Sequence, residues 1–190
     1  MFLPDYVELY GINNLKEACK TMEHLTQFSS CEFAVRPFIL KYPEQMSQQM
    51  LQWSLHSNHH IRRFASEGIR PRLPWAMALP FLKKDPGPIL PILDNLKEDE
   101  SEYVRRSVAN NLNDISKDNP HVFMQIAKKW KSNHPFTQEI IKHGARPLLK
   151  AANPEIIKHY GLHKRDHLSI ENFQIQKNKI PWGGTLQFTF

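Results

Sequence analysis

The fold of this chain is decided by residues 58–75, Asn58-His59-His60-Ile61-Arg62-Arg63-Phe64-Ala65-Ser66-Glu67-Gly68-Ile69-Arg70-Pro71-Arg72-Leu73-Pro74-Trp75. This stretch places one carboxylate, four arginines and one tryptophan around the predicted end of a helix. A partial echo begins 43 residues later, Ser101-Glu102-Tyr103-Val104-Arg105-Arg106-Ser107-Val108. A repeated helix with paired arginines and an acid on one face indicates a helical-repeat protein with a charged concave surface. Such a surface suits a polyanion.

An Arg-Pro dipeptide occurs at what we take as the same position of the repeat, within residues 35–37, 69–71 and 145–147. Taking Pro37, Pro71, Asp114 and Pro147 as equivalent points gives intervals of 34, 43 and 33 residues. Paired helices repeating at about 40 residues are typical of HEAT and armadillo proteins. We therefore predict an all-α, HEAT/armadillo-like, right-handed helical-repeat solenoid. An ordinary helical bundle with chance Arg-Pro pairs is the alternative.

Apolar spacing and proline positions predict where the helices lie. Four prolines follow Asp or Asn or His, as expected in a first helical turn, at positions 86, 120, 135 and 154. The residues Val104, Val108, Leu112 and Ile115 form one narrow apolar stripe that should face a core. The predicted helices are 12–28, 31–41, 44–56, 59–70, 74–83, 87–98, 102–116, 120–132, 135–147 and 153–160.

The pattern changes near Gly161. Leu186, Phe188 and Phe190 alternate strictly, and Gly183-Gly184 before them supplies a turn, so two β-strands are predicted in 165–190. We predict two domains, a HEAT-like domain over 1–162 and a partial β segment over 163–190. Two strands cannot form an independent domain, so the segment is either a packed hairpin or the beginning of a β-domain.

Composition narrows the class of protein. The 190 residues carry a formal net charge of +6, with 41% hydrophobic residues, as in a globular basic protein. Cys19 and Cys31 form no CxxC pair, so neither a disulfide framework nor a zinc site is indicated. The sequence lacks an apolar run of about 18 residues and the common hydrolase and nucleotide-binding motifs. We expect a soluble, cytoplasmic protein without cofactor or metal.

Three acids fall at comparable places on consecutive repeats, Glu32, Glu67 and Asp114. Arginines lie near each of them in the sequence. One interpretation is ion pairing that keeps the repeats in register, and the other is a functional acid cluster. Among the aromatic residues, Trp53 and Trp130 occupy apolar helix positions and should be core. Phe33 and Trp75 are the candidates for ligand contact.

Two motifs carry a resemblance to a known family. They are Arg62-Arg63-x-Ala65-Ser66-Glu67-Gly68-x-Arg70-Pro71-Arg72-Leu73-Pro74-Trp75 and Ser107-Val108-Ala109-Asn110-Asn111-Leu112-Asn113-Asp114-Ile115-Ser116-Lys117-Asp118. With them the chain resembles the AlkC branch of the DNA alkylation-repair glycosylases, which belongs with the AlkD-like HEAT-repeat proteins. The resemblance covers essentially the whole chain, and it implies that the chain is shortened at both ends relative to the family. It implies that 163–190 begins an immunoglobulin-like domain.

The resemblance also implies an activity and a set of site residues. The activity is hydrolysis of the N-glycosidic bond of cationic, 3-methyladenine-type bases in duplex DNA. We expect a monomeric protein of the bacterial cytoplasm or nucleoid, without membrane contact. Asp114 is expected to be catalytic, with Glu67 as the second acid. The expected lesion contacts are Glu32, Phe33 and Trp75, and the expected phosphate ligands are Arg63, Arg70, Arg72 and Arg106.

Two functions of other classes remain open at this stage. A non-catalytic HEAT-repeat module that binds or scaffolds DNA or an acidic partner would explain the repeats and the basic charge. Acids on its binding face would repel phosphate, so such a module should turn them away. A general protein–protein adaptor would instead expose an apolar groove, and the arginine cluster disfavours it.

Overall fold

The computed structural model describes residues 2–130, 134–162 and 169–189. This part of the chain is mainly helical, and a short 3-10 turn (Gly87–Ile89) leads into the seventh α-helix. The elements are α1 (Phe2–Gly11), α2 (Leu15–Leu25), α3 (Arg36–Lys41), α4 (Pro43–Trp53), α5 (His59–Gly68), α6 (Pro80–Lys84), α7 (Leu90–Leu96), α8 (Glu102–Asp118), α9 (Pro120–Lys129), α10 (Pro135–Gly144), α11 (Arg146–Lys150), α12 (Pro154–His159), β1 (Gln174–Ile175) and β2 (Phe188–Thr189).

The chain separates into two compact units, Met1–Ile156 and Ile157–Phe190. In the first unit α8 is the central helix, and it packs most extensively against α10 and α5. Its predicted apolar stripe is confirmed, because Val104, Val108, Leu112 and Ile115 are all fully buried. Trp53 and Trp130 are buried as predicted. Burial of this stripe between neighbouring helices is what stabilises a helical repeat.

The described part of the second unit contains one antiparallel pair of short strands. Gln174 pairs with Thr189 and Ile175 pairs with Phe188, so the predicted C-terminal hairpin is confirmed. Its apolar side chains are exposed, Trp182 among them. The domain boundary at 162/163 and the immunoglobulin-like interpretation stay predictions. Phe190 of the predicted alternation, residues 165–168 of the predicted strand segment and residues 131–132 of a predicted helix lie outside the described residues.

Proline positions predicted several helix starts correctly. Helices α9, α10 and α12 begin at Pro120, Pro135 and Pro154, and Pro86 directly precedes the 3-10 turn. A first-turn proline loses no hydrogen bond, because the amide it lacks would have no partner there. None of the described helices is both long enough and apolar enough to cross a membrane.

The helix prediction was wrong at three places. Helix α1 was not predicted, because it exposes Phe2, Leu3, Tyr6, Leu9 and Tyr10 and so lacks a clean amphipathic period. The predicted helix over 74–83 begins only at α6, since Trp75 has a φ of 62°, which a right-handed helix excludes. Residues 31–35 of another predicted helix form turns before α3 begins.

A close approach of two helices depends on Gly144 at the end of α10. A Cβ added there would lie 2.8 Å from Leu112 Cβ and 2.9 Å from Phe123 Cε2. In an open helix, glycine-to-alanine would stabilise by roughly 0.5–1 kcal/mol. Here the surrounding core must shift to make room, so the sign should reverse.

We predict that Gly144→Ala lowers the free energy of unfolding by about 1–3 kcal/mol, the usual cost of overpacking. Urea denaturation followed by circular dichroism measures it. The control is Glu139→Ala, at an exposed position of the same helix, which should change stability by less than about 0.5 kcal/mol. A Gly144→Ala variant as stable as the parent would show that α10 and α8 do not approach this closely.

Candidate functional site

The end of α5 and the middle of α8 bring two predicted acids to one guanidinium group. Arg70, just beyond α5, donates from Nη1 to Glu67 Oε1 at 2.8 Å. The same side chain donates from Nε to Asp114 Oδ2 at 3.0 Å and from Nη2 to Asp114 Oδ1 at 3.3 Å. Ser107 of α8 donates its hydroxyl to Glu67 Oε2 at 2.6 Å. Both carboxylates are therefore held in fixed orientations.

The third acid joins this cluster through a second arginine. Arg63 donates from Nη1 to Glu32 Oε2 at 3.0 Å, and its Nη2 lies 3.8 Å from Glu67 Oε1. The guanidinium of Arg63 also lies 5.0 Å from the centre of the Tyr103 ring. The residues Glu32, Arg63, Glu67, Arg70 and Asp114 thus form one connected set, which we call the acid–arginine network. The structure brings together all three acids that the sequence singled out.

The inner part of the acid–arginine network is buried. Asp114 is 1% exposed, Glu67 6% and Arg70 8%. Burial raises the pKa of Asp114 above its ordinary value, while the hydrogen bonds and charge of Arg70 and the backbone N–H of Arg72 oppose that rise. Lys117 Nζ lies 3.7 Å from Asp114 Oδ1 and opposes it as well. Arg70 is therefore the main group that keeps Asp114 ionised in a desolvated position.

The segment after Arg70 is a loop that displays Trp75. The Trp75 side chain is 98% exposed and its backbone φ is 62°, a conformation that costs a non-glycine residue roughly 1–2 kcal/mol. Buried Leu73 and Leu79 anchor the loop on either side. Trp75 is thus an aromatic surface held out from the protein. The other aromatic candidate, Phe33, is half-buried beside Glu32.

Arg36 is a part of this site that the sequence analysis did not assign a role. It is fully buried, and it donates to the carbonyl oxygens of Gly68, Arg70 and Met77 at 3.0, 3.0 and 2.5 Å. Burial lowers the pKa of Arg36 to about 10, and the neighbouring charge of Arg70 adds to that effect. In the sequence, only the repeated Arg-Pro dipeptide pointed to Arg36. It gave no indication of the carbonyl groups that Arg36 binds.

Of the four arginines predicted to bind phosphate, three reach solvent to different extents and one is enclosed. Arg106 reaches solvent, with a side chain 69% exposed and an ion pair to Glu102 at 2.7 Å. Arg72 is 43% exposed and donates twice to Asp118, at 2.7 and 2.6 Å. Arg63 is 15% exposed. Arg70 is enclosed between two carboxylates, with a side chain 9% exposed, and its phosphate contact stays a prediction.

A small hollow opens beside Arg63. It has a volume of about 140 Å³ and is lined by residues 26–30 together with His60, Arg63 and Tyr103. Burial lowers the pKa of His60, and the nearby His59 and Arg63 lower it further. The lining of the hollow is polar and aromatic, and the hollow lies at the edge of the acid–arginine network. Among the described residues, no cluster of three His, Cys, Asp or Glu side chains is placed to hold a metal ion.

Comparison with known proteins identifies a family and a related protein. Residues 15–138 match the sequence model of a family described as DNA alkylation repair enzyme. An uncharacterized protein, YhaZ of Bacillus subtilis (strain 168), is 49% identical over 190 residues, which is 100% of this chain and 53% of YhaZ. All five members of the acid–arginine network lie inside the matched range.

Several solved structures are similar to the chain, among them the following two. Pseudomonas fluorescens AlkC, an alkylpurine DNA glycosylase bound to DNA containing an abasic site analog, has a TM-score of 0.80 at 43% identity over 83% of this chain and 44% of that one. AlkD2 from Streptococcus mutans has a TM-score of 0.57 at 29% identity over 68% of this chain and 65% of its own. These matches confirm the predicted AlkC resemblance and the helical-repeat class. The chain spans about half the length of YhaZ and AlkC.

We predict that Arg70→Met lowers the free energy of unfolding by about 3–5 kcal/mol, because it leaves two buried carboxylates without their cation. The loss should shrink as the pH falls from 8 toward 5. Without Arg70 the pKa of Asp114 rises further, so the folded variant takes up a proton at a higher pH than the parent does. Urea denaturation at both pH values measures the effect.

The matched control is Arg72→Met, which removes a two-point ion pair at a solvent-exposed position. Its cost should be about 0–1 kcal/mol. Equal costs for the two variants would contradict the assignment of Arg70 as the organising cation of the acid–arginine network.

Proposed function

This chain belongs to the DNA alkylation repair enzyme family, and from that premise we propose that it is an N-glycosylase acting on N-alkylated, cationic bases in duplex DNA. The observation that carries the proposal is the connected set of three acids and two arginines, built from three separate segments of the chain. The similarity to a glycosylase whose solved structure is bound to DNA supports the same activity and partner. We propose that the protein works in the cytoplasm, as a monomer.

The chemistry of the lesion explains why carboxylates are suited to it. Alkylation at a ring nitrogen makes the base cationic, so the C1′–N bond breaks with its electron pair going to the base, which leaves neutral. Positive charge then develops on the sugar, as in glycoside cleavage. Water adds to C1′ and loses a proton. A fixed carboxylate stabilises the sugar cation and can accept that proton.

We assign the stabilising role to Asp114 and a second, supporting role to Glu67. Arg70 holds both acids ionised and fixed in direction, and preorganised charge is the form of electrostatic stabilisation that requires no rearrangement during the reaction. We therefore propose Arg70 as a positioning residue. This replaces the phosphate contact expected from the sequence.

We assign contact with the lesion to Trp75, Phe33 and Glu32. A fully exposed indole can stack on a cationic base or its deoxyribose, and a cation–π contact contributes roughly 0.5–2 kcal/mol. Glu32 is less buried than the other two acids, and its side chain is 14% exposed. Phosphates on each side of the lesion are assigned to Arg63, Arg72 and Arg106, whose guanidinium groups reach solvent to different extents.

A second function is favoured by one observation, the burial of Glu67 and Asp114 in ion pairs with the same arginine. Acids that serve only to fix α5 against α8 would not repel phosphate, so the chain could be a non-catalytic DNA-binding or scaffold module. Such a module would bind duplex DNA without releasing a base. The two functions therefore differ in one measurement.

We expect Asp114→Asn to slow release of 3-methyladenine from methylated duplex DNA by at least about 100-fold, the usual effect of removing a group that stabilises transition-state charge. Duplex affinity should stay nearly unchanged, because asparagine keeps the size and one acceptor of aspartate. Glu67→Gln should reduce release as well, by a smaller factor. Base release by chromatography and binding by fluorescence anisotropy measure the two quantities.

Glu17→Gln is the control for these substitutions, since Glu17 is an exposed acid paired with Lys20 on α2. It should leave base release unchanged. Normal release by Asp114→Asn would remove Asp114 from catalysis. DNA binding by the parent chain without any base release would favour the scaffold module.

We expect Arg106→Ala and Arg63→Ala each to weaken duplex binding and to reduce the log–log salt slope by about 0.9, the contribution of one phosphate contact. Lys20→Ala, an exposed lysine on α2, is the control and should leave the slope unchanged. The measurement is the duplex affinity between about 50 and 200 mM salt. An unchanged slope for Arg63→Ala would assign that residue to its ion pair with Glu32 alone.

A further inference from the structure

Arg36 makes an unusual set of contacts for a buried cation. Its guanidinium is fully buried and donates to three neutral carbonyl oxygens, those of Gly68, Arg70 and Met77. Among the residues that the structure describes, no carboxylate forms an ion pair with it. Desolvating a charge is costly, and the charges of Glu67 and Asp114, which act on Arg36 without a direct ion pair, offset only part of that cost. The three carbonyl groups are its direct hydrogen-bond partners.

The three carbonyl groups lie on both sides of the Trp75 loop. Gly68 is the last residue of α5 and Arg70 lies two residues after it. Met77 lies two residues beyond Trp75. One planar guanidinium therefore ties the start of the loop to its far side. Its fork of donors has a fixed geometry, so the three contacts set a distance and an angle between the two sides.

Buried Leu73 and Leu79 hold the two sides of this loop, and Arg72 contacts Asp118 and Asp114 near its start. The tip around Trp75 has fewer described contacts. Two backbone hydrogen bonds cross it, from Ala76 N–H to Leu73 O and from Leu79 N–H to Pro71 O, both at 3.3 Å. Trp75 itself has a left-handed backbone and an indole 98% exposed. A strained residue whose side chain gains nothing from burial needs the surrounding structure to hold it.

We propose that Arg36 is the positioning residue for Trp75, holding the loop of residues 69–77 so that the indole meets the nucleic acid in one fixed orientation. The proposal rests on the proposed function for the identity of the partner, duplex DNA with a damaged base. Arg36 touches neither the DNA nor the reacting atoms in this arrangement. It acts through the backbone that carries Trp75, and preorganisation of that indole is its contribution.

A double-mutant cycle with Arg36→Met and Trp75→Ala tests the proposal. Arg36→Met should raise amide hydrogen exchange across residues 69–79 and reduce duplex affinity and kcat/KM for base release by roughly 10- to 100-fold, the range for a misplaced contact group. If Arg36 acts through Trp75, the double variant should be no worse than the more damaging single variant. Multiplying effects of the two single variants would overturn the proposal.

Two further variants separate positioning from general stability. Arg36→Lys keeps the charge but not the planar fork, so its loop exchange and affinity should lie between those of the parent and Arg36→Met. This variant also decides the question if Arg36→Met fails to fold. Arg62→Met removes an arginine that is partly buried and donates to Asp99 and to the carbonyls of His56 and Ser57. It should leave exchange in 69–79 and kcat/KM within about twofold of the parent.

Failure of the proposed function would look different from failure of this inference. A parent chain that binds duplex DNA without releasing a base would overturn the glycosylase activity, while affinity and hydrogen exchange would still decide the role of Arg36. Unchanged exchange in residues 69–79 of the Arg36 variants would overturn the inference whatever the activity of the parent. Equal loosening of that loop by Arg62→Met would overturn it too.

Discussion

The ion pairs of Arg70 with Glu67 and Asp114 are the constraint on which the rest of the site depends. Each partner is almost completely buried, so none of the three charges can be removed without stranding another. The pairs tie the end of α5 to the middle of α8 across 44 residues of sequence. They also fix the point at which the chain leaves α5 and enters the loop that carries Trp75.

Two buried arginines stabilise this region through different partners. Arg70 binds carboxylates and so gathers the acids, whereas Arg36 binds carbonyl groups and so fixes backbone. The same residue type serves both purposes because a guanidinium presents several donors in one plane. Arg106 and Arg72 pair with carboxylates at more exposed positions, where an ion pair contributes little to stability.

Family membership and geometry support the proposed function from independent directions. The matched range of 15–138 contains the acid–arginine network and the Trp75 loop, so the part of the chain shared with alkylation repair enzymes is the part with the unusual chemistry. Outside that range the hairpin of β1 and β2 exposes apolar side chains such as Phe173 and Trp182. The first unit therefore carries every residue on which the proposed catalysis depends.

The local sequence pattern alone determined the helical-repeat class, the buried stripe of α8 and the positions at which α9, α10 and α12 begin with proline. It also singled out the three acids. These features follow from periodicity and backbone sterics, which a sequence displays directly. Only the tertiary structure decided that Arg70 is internal, that Trp75 interrupts a predicted helix, and that Arg36 binds carbonyl groups. A guanidinium can donate to phosphate, carboxylate or carbonyl oxygen, so its partner depends on which distant segments the fold brings within about 3 Å.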